Sequence, residues 1–392
     1  MIEFSKSNFN KKFKNALPLL EKIKKNSYDA YFVGGCVRDF MLNKDFCDID
    51  ITTSATPDEI KKIFNNVIDT GIKHGTVTVI NKGIPYEITT FRSEGNYINH
   101  RFPEKVFFEK SISQDLERRD FTINAMALDI KGDLIDLHSG ILDIKRKLIR
   151  TVNNPDERFN EDALRMLRAF RFSSMLNFII EKDTYDSICK NKKLIEYISI
   201  ERIVNELKKL FMGENNYNSF NLLIKSGLNI YIPFFKYVKR ITNFSNFNFN
   251  QIIFYLLIKN SIEIQDLKKL KLSKKDYKEI KDYLKISNLI KNSNLINRII
   301  FDFSKEKVIF VLKVIEYFNE DDIEKIKKII LPINSFSDVN ITNREIIDTI
   351  KIKKPGPWIK NIKDKIINNI LLNNLENDNY KIKDFIVRIG DL

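Results

Sequence analysis

The run Gly34-Gly35-Cys36-Val37-Arg38-Asp39, followed shortly by Asp48-Ile49-Asp50, constrains this chain more than any other feature. Tyr31-Phe32-Val33 is a β-rich stretch that runs into the two glycines. Cys36 to Leu42 reads as a helix, and Cys47 to Ile51 alternates Asp and Ile as a half-buried strand does. In a strand, residues two apart point the same way, so Asp48 and Asp50 present two carboxylates on one face. Hard divalent cations take oxygen ligands, and Mg²⁺ uses one or two carboxylates plus substrate phosphates. Gly34 and Gly35 let the backbone approach a phosphate, and the helix that follows offers free N–H groups. Arg38 adds a charged fork for a triphosphate oxygen. Alone, the acidic pair is a solvated strand edge and the glycines are a turn. Together they meet the needs of metal-assisted phosphoryl transfer.

The surrounding 150 residues read as mixed α/β. Thr56-Pro57-Asp58-Glu59 is a helix start, with a Thr cap, Pro at the first helical position and Glu three residues after the cap. Thr76 to Ile80 and Tyr86 to Phe91 are strands joined by the hairpin signal Asn81-Lys82-Gly83. The second strand carries Glu87 on the face of Thr89; it is a candidate base or third ligand, or an exposed strand residue. Residues 92–110 mix Gly, Asn, Arg, Pro and Glu and read as a loop. Beyond about residue 155 glycine is scarce, and apolar residues recur at helical spacing: Leu164, Leu167, Phe170; Ile203, Leu207, Leu210; Ile253, Leu256, Leu257. This half is expected to be nearly all helix, with Asn-rich joints near 213–219, 243–250 and 333–342 and a sharp turn at Lys354-Pro355-Gly356-Pro357-Trp358 before one more helix.

Two further clusters carry chemistry. Arg118-Arg119-Asp120 precedes an apolar helix start; Arg119 is a phosphate or ribose contact, and Asp120 fits an N-cap. In Glu161 to Arg171, Asp162, Arg165, Arg168 and Arg171 recur every three residues, a row that winds about 60° per step round a helix. Leu164, Leu167 and Phe170 hold the buried side. Asp162 and Arg165 are then surface neighbours. An Asp accepts the amino group of cytosine or adenine while an Arg donates to the ring nitrogen. Uracil and guanine set a carbonyl oxygen against the Asp, leaving buried polar groups unpaired at a cost. The same pair also fits an ordinary helix-surface salt bridge.

Composition narrows the class. Lys and Arg number 66 against 52 Asp and Glu, a formal net charge of +14, which suits a polyanionic partner such as RNA. Abundant Lys, Asn and Ile also fit an A+T-rich gene, so the charge supports RNA binding without deciding it. No run of about 18 apolar residues predicts a membrane span. The N-terminus lacks the apolar block of a secretory signal. Cys36, Cys47 and Cys189 are too scattered for a disulfide framework or zinc cluster, and a reducing cytoplasm is expected. His74, His100 and His138 do not make a His-rich metal hydrolase.

Four ordered motifs resemble those of class II tRNA nucleotidyltransferases and bacterial poly(A) polymerases. They are Gly34-Gly35-x-Val37-Arg38-Asp39 with Asp48-x-Asp50; Arg118-Arg119-Asp120-Phe121-Thr122-x-Asn124-Ala125; Glu161-Asp162-x-x-Arg165; and Glu201-Arg202-x-x-x-Glu206-Leu207. The resemblance implies an α+β chain: a polymerase-β-like nucleotidyltransferase head with a small mixed sheet over 1–150, then an all-α neck (151–212), body (213–332) and tail (333–392). It implies metal binding, read here as Mg²⁺, by Asp48 and Asp50, and nucleotide contacts by Gly35, Arg38, Arg119, Asp162, Arg165, Arg168 and Arg171, while Glu87 stays a catalytic candidate from its strand position alone. The reading expects tRNA as partner and CTP and ATP as substrates; no membrane is expected from the lack of an apolar span, and either a monomer or a homodimer fits. Lys73-His74-Gly75-Thr76 and Pro355-Gly356-Pro357-Trp358 are similar to the Bacillus-type CCA-adding branch. So is the segment between Phe91 and Phe107, an element that enzymes adding only CC lack. The basic C-terminal extension of poly(A) polymerases is not evident. Asp136-Leu137-His138-Ser139-Gly140 departs from the Asp-Pro-x-x-Gly form of the family.

Overall fold

The computed structural model describes residues 11–46, 48–95, 97–98, 102–103, 106–242, 244, 246–292, 295–316, 318–351 and 355–390. Its chain divides into two compact units: Met1–Phe249 with Ile262–Lys271, and Asn250–Ser261 with Leu272–Leu392.

The first unit opens with α1 (Lys11–Lys25), whose apolar stripe of Phe13, Ala16, Leu17, Leu20 and Ile23 is buried. Sequence pattern alone does not predict this helix. Next come β1 (Ala30–Val33), α2 (Gly35–Met41), β2 (Asp50–Thr53), α3 (Pro57–Ile63), β3 (Val67–Gly71), β4 (Thr76–Asn81) and β5 (Ile84–Thr90). The capping box on α3 forms as read, with Glu59 accepting the Thr56 N–H at 2.7 Å. After the ribbon strands β6 (Arg92–Glu94), β7 (Tyr97–Ile98), β8 (Phe102–Pro103) and β9 (Val106–Phe108) come α4 (Ile112–Glu117), β10 (Met126–Leu128), β11 (Leu134–Asp136), α5 (Gly140–Arg146) and β12 (Leu148–Ile149).

Seven strands form one mixed sheet in the order β11-β10-β1-β2-β5-β4-β3. β2 and β5 run parallel, placing Asp50 opposite Glu87; the other neighbours are antiparallel. Alternation sorts the two faces. Ile51, Val77, Val79, Tyr86 and Ile88 join Phe13, Leu20 and Phe32 in the core, while Asp50, Glu87 and Thr89 take the other side. Each large apolar side chain removed from water this way contributes roughly 1.5–3 kcal/mol, which fixes the strand register against a one-residue slip.

The segment read as a loop over 92–110 is different. Its described residues form two antiparallel pairs, β6 with β9 and β7 with β8. Part of it, His100 included, lies outside the described residues.

The neck-like part is helical: α6 (Pro155–Glu161), α7 (Leu164–Leu176), the short strand β13 (Ile179–Ile180) paired to β12, α8 (Lys182–Asn191), α9 (Ile200–Phe211) and α10 (Asn216–Ser226). Leu164, Leu167 and Phe170 on α7 and Ile203, Leu207 and Leu210 on α9 are buried, as their spacing predicts.

Among its described residues the second unit's regular elements are all helices, among them most of Phe249–Lys259, Lys274–Asn292 and the terminal helices Trp358–Leu371 and Asn379–Gly390. Two helices, not one, therefore follow the Pro-Gly-Pro turn, whose Lys354 lies outside the described residues. Ile346, Ile366, Ile367, Ile370, Ile382 and Ile386 close their own core. Among the described residues no helix is long and apolar enough to cross a membrane.

Candidate active site

The site is built where β1 stops. Gly34 sits at φ 78°, ψ −134°, a backbone conformation that side chains strongly disfavour, and it turns the chain from β1 into α2. A Cβ on Gly34 would lie 3.1 Å from Arg119 Nη1 and 3.7 Å from Asp50 Oδ2. Glycine, carboxylate and guanidinium thus meet at one point, where a side chain would crowd Arg119 and touch Asp50.

Asp50 opens β2 opposite Val33 on one side and Glu87 on the other. Glu87 in turn faces Thr78 of β4. Burial by the surrounding protein pushes the Asp50 carboxyl above its ordinary value; Arg119 opposes this, while Glu87 and Asp48 add to it. Both acids keep solvent-exposed surface, though protein crowds the Asp50 carboxyl, and Asp48 precedes the strand, which begins at Asp50. The expectation of one strand over Cys47 to Ile51 is corrected here: the described pairing starts late, and Cys47 lies outside the described residues. The two acids are near enough to repel, but strand alternation is not what aligns them.

Would a dication fit? The donor set is all oxygen, and crowded carboxylates with one guanidinium for relief favour a cation between them. Among the described residues no three His, Cys, Asp or Glu side chains converge as a metal cage. A metal would therefore take Asp48 and Asp50 and complete its shell with water and phosphate, which is the habit of Mg²⁺.

Arg119 and Arg118 share the buried carboxylate of Asp115, at 3.1 and 2.7 Å. The two arginines do not precede an apolar helix. A short 3₁₀ turn, Thr122–Asn124, and then β10 follow, because Met126-Ala127-Leu128 is taken up by the sheet beside β1. Asp120 accordingly caps no α-helix. It accepts the Phe121 N–H (2.9 Å) and the Asn124 amide (3.0 Å) and pairs with Arg168 at 2.5 Å. Burial alone would raise its carboxyl, but Arg168 and Asn124 outweigh burial and hold it well below the carboxylate range.

Three of the arginines singled out from sequence gather round one ring. Arg38, Arg168 and Arg171 lie 5.1, 5.3 and 4.3 Å from the centroid of Phe172. Each has a polar partner: Arg38 donates to Asn124 Oδ1 (2.7 Å), Arg168 pairs with Asp120, and Arg171 with Glu206 (3.0 Å). Phe172 was not singled out from sequence. Asn124 and Glu206 appeared in motifs without roles, since their partners lie far away in sequence. Asp115 was missed, although its spacing of three and four before the arginine pair was legible.

Glu161 to Arg171 is not one helix. α6 ends at Glu161, Asp162 is extended at φ −132°, and α7 restarts at Leu164. The break lets the Asp162 carboxylate accept the Leu164 N–H at 3.1 Å and pair with Arg202 at 3.2 Å. Arg165 is buried and donates to Glu161 Oε2 (2.6 Å) and to the carbonyls of Arg158 (3.2 Å) and Arg118 (2.8 Å). The structure thus places Asp162 and Arg165 on either side of a helix break, with separate partners.

Comparisons with known proteins bear on this arrangement. The family model described as Poly A polymerase head domain matches residues 30–150. A model of the polymerase A RNA- and SrmB-binding site matches 177–238, and one of tRNA nucleotidyltransferase domain 2 matches 249–386. The chain is 41% identical to the CCA-adding enzyme of Staphylococcus saprophyticus over 369 residues, covering 90% of this chain and 92% of that one. It is 41% identical to the CCA-adding enzyme of Ligilactobacillus salivarius over 380 residues, covering 93% and 94%. Among solved structures, the Bacillus stearothermophilus CCA-adding enzyme in complex with CTP aligns with TM-score 0.82 at 32% identity over 98% of both chains. The Thermotoga maritima CCA-adding enzyme complexed with tRNA aligns with TM-score 0.71 at 21% identity, covering 97% of this chain and 96% of that one, a likeness of fold.

Proposed function

The chain belongs to the CCA-adding enzyme family of tRNA nucleotidyltransferases, and we propose that it adds C, C and A to the 3′ end of tRNA from CTP and ATP. The observation that carries this reading is the meeting of Gly34, Asp50 and Arg119 at one point, with Glu87 in register beside it.

In the mechanism we assign, Asp48 and Asp50 would hold Mg²⁺, which when bound would neutralise charge developing on the phosphate and favour the ionised form of the attacking hydroxyl. The tRNA 3′-hydroxyl oxygen bonds to the α-phosphorus, the bond to the bridging β-phosphate oxygen breaks, and pyrophosphate leaves. Gly35 and Arg38 hold phosphates, and Arg119 steadies the triphosphate or ribose near Asp50. Glu87 lies one strand from Asp50 and takes the hydroxyl proton.

Asp162 and Arg165 select the base; Arg168 and Arg171 position it. Arg165 donates to Glu161 and to the Arg158 and Arg118 carbonyls, so reading a base requires it to exchange one of these partners for the ring nitrogen, while Asp162 is held beside it by the Leu164 N–H and Arg202. We assign residues 1–150 to transfer, 151–212 to base selection, and 213–332 and 333–392 to gripping tRNA by shape and phosphates, helped by the net charge of +14. The work belongs to the cytoplasm; free Cys36 and Cys189 fit a reducing compartment.

The test mixes the protein with tRNA ending before CCA, with CTP and ATP singly and together. The reading expects two C residues with CTP alone and CCA with both, abolished by a chelator and by Asp50→Ala. Long A tails with ATP alone would mean a poly(A) polymerase, and addition of only CC or only A a partial enzyme. No extension, or full speed in Asp50→Ala, would refute the transferase reading.

A further inference from the structure

Asp115 is fully buried, carries charge and has no role in the mechanism above. A buried carboxylate is costly unless compensated, so its partners show what it organises. On one oxygen, Oδ1, it accepts Arg118 through Nη2 (2.7 Å) and Nε (3.0 Å). On the other, Oδ2, it accepts Arg119 Nη2 at 3.1 Å, and Thr52 Oγ1 on β2 stands 3.4 Å away.

The post is rigid. Its neighbour Leu116 is buried with Val33 and Ala127, which ties α4 to β1 and β10. Both oxygens then lead somewhere. Through Oδ2, Asp115 takes one amino group of Arg119 and leaves the other, Nη1, turned to Gly34. Through Oδ1 it fixes Arg118, whose carbonyl receives Arg165 Nη2 at 2.8 Å. A guanidinium is a planar fork, so clamping one tine sets the direction of the other.

We infer that Asp115 is a positioning residue that aims Arg119 at the triphosphate and, through the Arg118 carbonyl, seats Arg165 for base selection, so that one buried carboxylate couples transfer to specificity. The inference rests on the assignment of Arg119 and Arg165 as nucleotide contacts. It differs from a purely structural role, in which Asp115 would only stabilise the head.

The test is a double-substitution cycle on the full chain with CCA-less tRNA. The variants are Asp115→Asn, Arg119→Ala and both together, with KM and kcat for CTP and incorporation of UTP as readouts. Supporting residues of this kind typically cost about 10- to 100-fold in activity. Asp115→Asn is expected to raise KM for CTP about tenfold or more and to raise UTP incorporation. In the Arg119→Ala background it should change KM little further while still relaxing base choice. Asp143→Asn is the control. It removes a second buried head carboxylate, bonded to Thr122 and Arg150, and should lower thermal stability while leaving KM and base choice intact.

If Arg119→Ala alone leaves KM unchanged, the assignment of Arg119 as a nucleotide contact fails. If it raises KM but the Asp115 effect adds fully, or is shared by Asp143→Asn, the positioning role fails. Should Asp115→Asn not fold, Asp115→Glu keeps the charge and displaces the fork by one methylene. The same rise in KM is expected, and an unchanged KM overturns the inference.

Discussion

Gly34→Ala separates backbone strain from damage to the site. Gly34 holds φ 78°, where a non-glycine residue costs on the order of 1–3 kcal/mol. The added methyl would stand 3.1 Å from Arg119 Nη1, tighter than an ordinary contact. Arg119 cannot withdraw freely, because Asp115 holds its other tine at 3.1 Å. The methyl therefore both displaces the guanidinium and fills the space beside Asp50 where a phosphate would sit. Misplacement of this kind costs roughly 10- to 100-fold in rate. Gly83 is the matched control. It has the same φ of 78° in the β4–β5 turn, and a Cβ there would meet nothing within 4 Å. Urea unfolding should show a loss for both Gly34→Ala and Gly83→Ala, larger in the first, while CTP incorporation into CCA-less tRNA should collapse only in the first. Equal loss of stability with full activity in both would refute the cradle at Gly34.

Asp162→Ala should raise incorporation of U and G relative to C and A in single-nucleotide assays; unchanged selectivity would remove Asp162 from base recognition. Asp120→Asn should destabilise the first unit by about 1.5–3 kcal/mol at neutral pH, since it replaces the charged partner of Arg168 by a neutral amide and leaves only Glu206, at 4.0 Å, to balance the guanidinium. The sign with pH follows from a folded-state pKa held below the unfolded value of roughly 3.9. The stabilisation by Asp120 is complete above the unfolded pKa and is lost as pH falls toward the folded one. The gap between wild type and variant, read by urea unfolding, should therefore be constant from pH 7 to about pH 5 and shrink below that; a gap that widens in acid would contradict the ion pair.

The head was legible because its signals are local. A β-run ending in two glycines, a capping box and a two-residue hairpin each specify their own backbone, and β1, α3 and the β4–β5 turn appear where they were read. Helical spacing likewise marked the buried faces of α7 and α9. Three readings failed for one reason, which is that tertiary pairing overrode local pattern. Asp48 lies outside the strand that its alternation suggested. Residues after Arg119 were drawn into the sheet rather than into a helix. The arginine row was cut at Asp162, whose side chain bonds the restarting helix and Arg202.

The amino-acid sequence by itself determined which residue types exist for the chemistry: two acids, a glycine turn and a set of arginines in a fixed order. Only the folded chain decided which of them meet. Arg38, Asn124, Asp120, Arg168, Glu206 and Arg171 form one chain of contacts around Phe172, though they come from α2, the turn after α4, α7 and α9. Charge pairs of such long sequence separation leave no local period to read. They become visible once burial of the apolar faces has brought their elements together, because a desolvated charge must then find whichever partner the packing supplies.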